Sequence, residues 1–200
     1  VAEHYDGRDA FVAGLKRSRE QVFALEKQLP GEAVLHFNLS DMSRVLNRII
    51  YQKGGWTLHM LRYQMGPEKF WAGIRDYYQR YRNGSATTAD FRRVMEEHCG
   101  LDLSAFFQQW LARAGSPVVD GGWRYDAANK SIIVELAQTQ PGDTYILPLE
   151  IGIQGDGPER VEKILLDAKK KQFQLKADRE PSAVVLDPNT WALMQAMPMG

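Results

Sequence analysis

Apolar residues recur at helical spacing through the first half of the chain. This spacing predicts a helix over residues 8–29, with basic and acidic side chains on its opposite side. A second helix is predicted over about 51–65, and it is apolar around most of its circumference, as is typical of a helix in a core. A further helix is predicted from Pro67 to about Arg82, and another near 89–98. The last predicted helix carries Trp110.

Local signals mark where these helices begin and end. Gly66 and Pro67 separate two helices, because glycine suits a helix end and proline the first turn of the next. Thr87 or Thr88 is expected to cap the following helix, with Asp90 in its first turn, and Gly100 is expected to close that helix.

The stretch between the first two helices is expected to be mostly irregular, over residues 31–39. Extended structure is an option over 34–37. Ser40 or Asp41 is the expected cap of a short helix that ends near Ile50.

After about residue 115 the period of the apolar positions changes from helical to two. Strands are predicted around 132–136, 145–153, 173–175 and 184–186, with turn signals between them. Short strands at a spacing of roughly ten residues predict an antiparallel sandwich. The sequence therefore predicts an α+β chain, whose last residues, from Trp191, form a short helix or a frayed end.

Composition narrows the classes of function. The chain has 200 residues, of which 44% are hydrophobic, enough to bury a core. Its 25 basic and 25 acidic residues give a formal net charge of zero, which argues against binding to nucleic acid. The single cysteine, Cys99, excludes an intrachain disulfide, and no apolar run reaches the length of a membrane span.

The histidines do not follow a zinc-binding pattern. No two of them stand four residues apart on a helix, the spacing that a zinc helix requires; they are His4, His36, His59 and His98. Residues 96–99 include several potential ligands, but a helix C-terminus with a buried cysteine is the preferred interpretation. We therefore predict no metal or cofactor site within the chain.

Tyr51 is the remaining candidate for catalysis. It opens the second predicted helix, in the stretch Tyr51-Gln52-Lys53-Gly54-Gly55. A phenol is a neutral hydrogen-bond donor at pH 7, which suits a developing oxyanion. Spacing alone favours a structural role for this tyrosine, and Lys53 is able to bury its stem and pair with a carboxylate. The two glycines are most easily understood if another backbone or a ligand comes close.

This stretch resembles the gluzincin-type zinc aminopeptidases, whose pattern is Tyr-x-Lys-Gly-small at the start of a helix. A weaker similarity to the segment past the zinc-binding helices of that family covers Tyr5 to Phe11. The stronger resemblance continues in order through residues 44–118, in Gly66 with Phe70, Ile74 and Tyr77 or Tyr78, in Ala86-Thr87-Thr88 with Asp90-Phe91, and in Leu103, Phe106-Phe107, Gln109-Trp110, Gly115 and Pro117.

The resemblance implies a domain organisation and a role for Tyr51. Residues 1–117 would form the α-helical C-terminal half of a thermolysin-like catalytic domain, and residues 118–200 a small antiparallel β-sandwich of immunoglobulin-like type. In the family, the tyrosine at the position of Tyr51 donates a hydrogen bond to the oxyanion of the tetrahedral intermediate. A zinc ion, held by two histidines and a glutamate, activates water there.

The sequence lacks the other parts of that catalytic site. The zinc ligands, the general-base glutamate and the motif that binds the substrate amino terminus are expected upstream, in the parent protein. The parent would remove N-terminal residues from peptides that have a free N-terminus. This chain alone is expected to bind no zinc and to be inactive.

The alternative is a non-catalytic helical-plus-sandwich module, a scaffold or interaction domain from a zinc-less relative. The expected partners are the peptide substrate of the parent and the upstream domains of the same chain. Without those domains, an apolar patch near Tyr51 and Trp56 is expected to be exposed and to favour self-association.

The chain is expected to be soluble, and any targeting signal would lie upstream, so the sequence does not indicate a cellular location.

Overall fold

The computed structural model describes residues 2–35 and 47–199. It confirms the predicted α+β class, since helices precede Val118 and strands follow it. The chain divides into two compact units: Ala24–Gly115, here the helical unit, and Val1–Phe23 with Ser116–Gly200, here the sheet unit. The short helix predicted to follow Ser40 or Asp41 falls largely outside the described residues.

Six helices are present in the described part of the chain. The predicted helices are confirmed, although the one that carries Tyr51 begins three residues earlier than expected. They are α1 Ala2–Tyr5, α2 Gly7–Gln28, α3 Arg48–Met65, α4 Pro67–Tyr81, α5 Thr88–Cys99 and α6 Ser104–Phe107, which continues as a π-helical turn over Gln108–Ala112.

The ends of α4 and α5 follow the predicted capping chemistry. Pro67 occupies the first turn of α4. Thr87 and Asp90 form a reciprocal capping box at the start of α5, in which each side chain bonds the backbone N–H of the other residue. Gly100 ends α5 in the left-handed conformation, with φ at 73°. Each such cap stabilises its helix by about 1 kcal/mol.

The core of the helical unit is formed by α3 to α6. Burying a large apolar side chain, such as that of leucine or phenylalanine, stabilises a fold by about 1.5–3 kcal/mol relative to leaving it exposed. The main cluster consists of Leu61, Met65, Phe70, Met95, Cys99, Leu103, Phe107 and Leu111. The end of the last helix is tied to this core, since Leu35 donates its backbone N–H to the carbonyl of Leu111 at 2.8 Å.

The described strands of the sheet unit are β1 Val118–Asp126, β2 Ser131–Gln138, β3 Leu147–Gly155, β4 Gly157–Leu166, β5 Lys170–Lys176, β6 Ala183–Leu186 and β7 Gln195–Ala196. They form two sheets, with strand orders β5-β2-β1-β7 and β4-β3-β6. All neighbouring strands are antiparallel except β1 and β7, which are parallel.

Three of these strands were not predicted from the sequence. β1 contains glycine because β2 passes very close: a Cβ atom on Gly121 would collide with the backbone carbonyl of Glu135. β4 is an edge strand whose positions are mostly exposed and include four charged residues, so its apolar alternation is weak. The expectation of a helix or a frayed end after Trp191 is wrong, since Leu193 and Met194 are buried and β7 pairs with β1.

None of the helices in residues 2–35 and 47–199 combines the length and the apolar character needed to cross a membrane.

Candidate active-site face of helix α3

Tyr51 lies in the first turn of α3, and its side chain is 68% exposed. Asn47 caps this turn, because its side-chain oxygen accepts hydrogen bonds from the backbone N–H groups of Ile49 at 2.9 Å and Ile50 at 3.2 Å. The phenol of Tyr51 has no hydrogen-bond partner among residues 2–35 and 47–199. The hydroxyl is therefore not engaged by the part of the chain that the structure describes.

The exposed positions of α3 form one face of the helix. Arg48, Tyr51, Gly55 and Leu58 are all exposed, at intervals of three and four residues. A Cβ atom built on Gly54 or on Gly55 would meet no atom of residues 2–35 and 47–199 within 4 Å. Close approach of a described residue therefore does not account for the two glycines, and the described residues leave the space beside them open.

Lys53 points away from this face and is fully buried. Its ammonium group donates hydrogen bonds to Glu26 Oε1 at 3.0 Å and to the carbonyls of Gly115 at 2.5 Å and Arg113 at 3.5 Å. Pairing with a carboxylate was one option that the sequence left open for Lys53, and the structure contains this pair. The partners themselves were not predictable, because Glu26 and Gly115 lie 27 and 62 residues away and no local pattern marks them.

The electrostatics of Lys53 are set by two opposing effects. Burial lowers the pKa of Lys53 below its ordinary value, since a charged ammonium group loses its hydration. The nearby carboxylate of Glu26 raises this pKa, and the guanidinium of Arg113 lowers it further. The ion pair with Glu26 thus partly offsets the cost of burying a lysine in this position.

Trp56 is buried, with only 1% of its surface exposed. It packs edge to face against His59, with ring centroids 5.5 Å apart. The expectation of an exposed apolar patch that includes Trp56 is therefore wrong, because Trp56 lies on the core side of α3. Tyr51 and Leu58 are the large hydrophobic side chains that α3 exposes, and self-association stays a prediction.

The acidic, His and Cys residues at the end of α5 have structural partners. His98 Nε2 lies 2.8 Å from Asp76 Oδ2, and Cys99 is buried. Glu96 accepts a hydrogen bond from the backbone N–H of Leu103 at 2.9 Å. The interpretation of residues 96–99 as a helix C-terminus is confirmed, since α5 ends at Cys99.

The residues of this chain that the structure describes do not fit a zinc site. No group of three or more histidine, cysteine, aspartate or glutamate side chains in these residues is placed to hold a metal ion. His36 lies outside the described ranges. No step of a reaction is therefore assigned through a metal bound by these residues.

A second buried polar group lies in the sheet unit, at Asp187. Its carboxylate accepts hydrogen bonds from the backbone N–H groups of Trp191 at 2.8 Å and Ala192 at 2.9 Å. Burial, with a smaller contribution from the nearby Glu150, raises the pKa of Asp187 to about 6, although the two backbone donors lower it. This arrangement closes the turn before β7, and nothing in it resembles a catalytic pair.

The helical part of the chain matches a known protein family. The peptidase family M1 domain matches residues 7–110, which is more than half of the chain. Aminopeptidase N of Escherichia coli K12 is 28% identical over 101 residues, covering 50% of this chain and 12% of that protein. Aminopeptidase N of Streptomyces lividans is 28% identical over 146 residues, covering 72% of this chain and 16% of that protein.

A solved structure has the same fold over nearly the whole chain. The crystal structure of Legionella pneumophila aminopeptidase A in complex with aspartic acid superimposes with a TM-score of 0.73 and 16% sequence identity. The match covers 92% of this chain and 23% of that one. The chain thus spans less than a quarter of each of these three proteins.

Proposed function

Because this chain belongs to peptidase family M1, we propose that it is part of an aminopeptidase in which Tyr51 donates a hydrogen bond to the reaction oxyanion. The observation that carries the proposal is the exposure of Tyr51. A tyrosine that serves the core would be buried, whereas 68% of this side chain is exposed at the start of α3. The sequence order Tyr-x-Lys-Gly at this helix start supports the same role.

The chemistry required of Tyr51 is that of a neutral hydrogen-bond donor. When a peptide carbonyl is attacked, negative charge develops on its oxygen, and a donor placed beside that oxygen stabilises the transition state more than the ground state. The hydroxyl of Tyr51 has no competing partner among the described residues. Removal of one such donor typically lowers kcat by about 100- to 1000-fold.

The open space beside Gly55 gives the substrate a path along this face. Gly55 follows Tyr51 by one helical turn, and a Cβ atom there would meet no atom of the described part of the chain within 4 Å. A residue without a side chain lets an extended peptide lie near the helix backbone. We therefore include Gly55 in the proposed substrate-binding face, next to Tyr51.

The proposed parent enzyme depends on zinc, the metal that activates water in the family that the sequence resembles. The zinc ligands would come from parts of the parent protein outside the described residues. The described residues themselves offer no cluster of metal-binding side chains. This chain alone is accordingly proposed to be inactive. After exposure to excess zinc and dialysis it should retain no stoichiometric metal, and one bound equivalent per chain would contradict that assignment.

The reaction class is tested on the full-length protein that carries this chain. A peptide with a free N-terminus and the same peptide with an acetylated N-terminus are incubated separately with the zinc-loaded protein, and the products are identified by mass spectrometry. Stepwise release of N-terminal residues from the free peptide alone is expected. Absence of hydrolysis, or cleavage inside both peptides, would contradict the proposal, and absence would favour a non-catalytic module.

A further inference from the structure

The position of the Tyr51 phenol is set by the backbone that carries it. The side chain is 68% exposed and makes no hydrogen bond within the described residues, so its own contacts do not hold it in place. A transition-state donor has to be placed accurately, since a displacement of about 1 Å can lower a rate by roughly 100-fold. The first turn of α3 must therefore be fixed by other means.

The sequence after Tyr51 weakens this turn. Gly54 and Gly55 follow it, and glycine in a helix interior gives the backbone more conformational freedom than any other residue. No acidic residue stands in the first turn of α3, where a negative charge would complement the helix dipole. The Asn47 cap holds the beginning of the turn, but it does not reach the glycines.

Lys53 stands between Tyr51 and the two glycines and is bonded to two other segments of the helical unit. One is the last turn of α2, through Glu26, and the other is the chain after the π-helical turn, through the carbonyls of Arg113 and Gly115. Since Tyr51 and Lys53 are two residues apart, they point to nearly opposite sides of α3. A rotation or a slide of α3 that displaced the phenol would break the bonds of Lys53.

We propose that Lys53 is a positioning residue, which fixes the start of α3 and thereby the place of the Tyr51 hydroxyl. This inference rests on the proposed function. A buried ion pair often stabilises a protein no more than apolar side chains of similar volume. What the ammonium group adds, and an apolar side chain cannot, is a set of directed hydrogen bonds to three fixed acceptors.

The test is a double-mutant cycle on the zinc-loaded full-length protein, with the substitutions Lys53→Met and Tyr51→Phe. With an alanyl p-nitroanilide as substrate, Lys53→Met should lower kcat by about 10- to 100-fold and leave KM within about twofold. In the Tyr51→Phe background the same substitution should have almost no effect on kcat, because the displaced hydroxyl is already absent. Equal losses in both backgrounds would overturn the positioning role.

Two further variants guard against an effect of misfolding. Glu26→Gln keeps the shape of the partner and removes its charge, and it should lower kcat in the same direction by a smaller factor. Lys53→Arg keeps a charged donor and should restore most of the activity lost in Lys53→Met. Lys69→Met is a control for the loss of a lysine elsewhere in the helical unit, since Lys69 donates to the carbonyl of Cys99 at the end of α5, and its kcat should equal that of the wild type.

Amide hydrogen exchange supplies a readout that does not depend on activity. In Lys53→Met, the amides of residues 49–53 should exchange at least tenfold faster, while those of α4 and α5 keep their wild-type rates. Unchanged exchange at 49–53 would overturn the inference. If Tyr51→Phe retains full turnover, the proposed function fails and the catalytic part of the inference with it, whereas the exchange rates still decide whether Lys53 fixes the helix start.

Discussion

The ammonium of Lys53 lies 3.0 Å from the carboxylate of Glu26, and the two side chains are 0% and 11% exposed. Removing one partner of such a pair leaves the other charge without compensation inside the protein. We therefore expect Lys53→Ala to lower the free energy of unfolding of the helical unit by about 3–5 kcal/mol. Urea unfolding, followed by circular dichroism at the helical wavelength, measures this change.

The control for this prediction removes both charges together. The double variant Lys53→Met/Glu26→Gln should lie within about 1–2 kcal/mol of the wild type, since no unpaired charge is left buried. A single Lys53→Ala variant as stable as the wild type would show that the pair is hydrated and contributes little.

Replacement by alanine should have opposite effects on the unfolding free energy at Gly55 and at Gly73, two helix-interior glycines of the helical unit. Alanine favours a helix interior over glycine by about 0.5–1 kcal/mol, and a Cβ atom on Gly55 would enter open space. Gly55→Ala should therefore raise the unfolding free energy by that amount. On Gly73 of α4 the new Cβ atom would lie 2.6 Å from Met95 Sδ in the core, so Gly73→Ala should be destabilising. Thermal unfolding of both variants checks the contrast, and a loss of stability in Gly55→Ala would contradict the open space.

The carboxyl of Asp187 should make the stability of the sheet unit depend on pH. Its pKa is raised from 3.8 to about 6 by burial, so the folded state holds this proton more tightly than the unfolded state between those values. The stability it contributes is present below about pH 4 and is lost as the pH rises through about 6. At roughly 1.4 kcal/mol per pKa unit, the loss is about 3 kcal/mol.

Asp187→Asn provides the reference for that measurement. Asparagine accepts the positive φ of 49° at this position and still offers one acceptor to the turn, but it does not titrate. The difference in unfolding free energy between wild type and variant, from urea titrations at pH 4 and pH 7, should change by about 2–2.5 kcal/mol in favour of the variant at the higher pH. A difference that stays constant would contradict the burial effect.

What the sequence predicted well is local. The ends of α4 and α5 followed from Pro67, Thr87, Asp90 and Gly100, because caps depend on residues within one turn of each other. The strands with clear apolar alternation, β2 and β3, were also found.

What the sequence did not predict depends on contacts between distant residues. β7 pairs in parallel with Val118 and Val119, so its two residues carry no recognisable pattern of their own. A carboxylate partner was one option for Lys53, but the choice of Glu26 and of the carbonyl of Gly115 is a property of the packed helices. An exposed apolar patch was expected near Tyr51 and Trp56, but the direction of the Trp56 side chain depends on which side of α3 meets the core, and Trp56 is buried.

The central claim is that the hydroxyl of Tyr51 takes part in the reaction, and one comparison tests it most directly. Tyr78, on α4, is 66% exposed against 68% for Tyr51, so Tyr78→Phe is a matched control for the loss of an exposed phenol. In the zinc-loaded full-length protein, Tyr51→Phe should keep its zinc content and fold and lower kcat by about 100- to 1000-fold, while Tyr78→Phe keeps the wild-type kcat. Turnover of Tyr51→Phe within about twofold of the wild type would contradict the account.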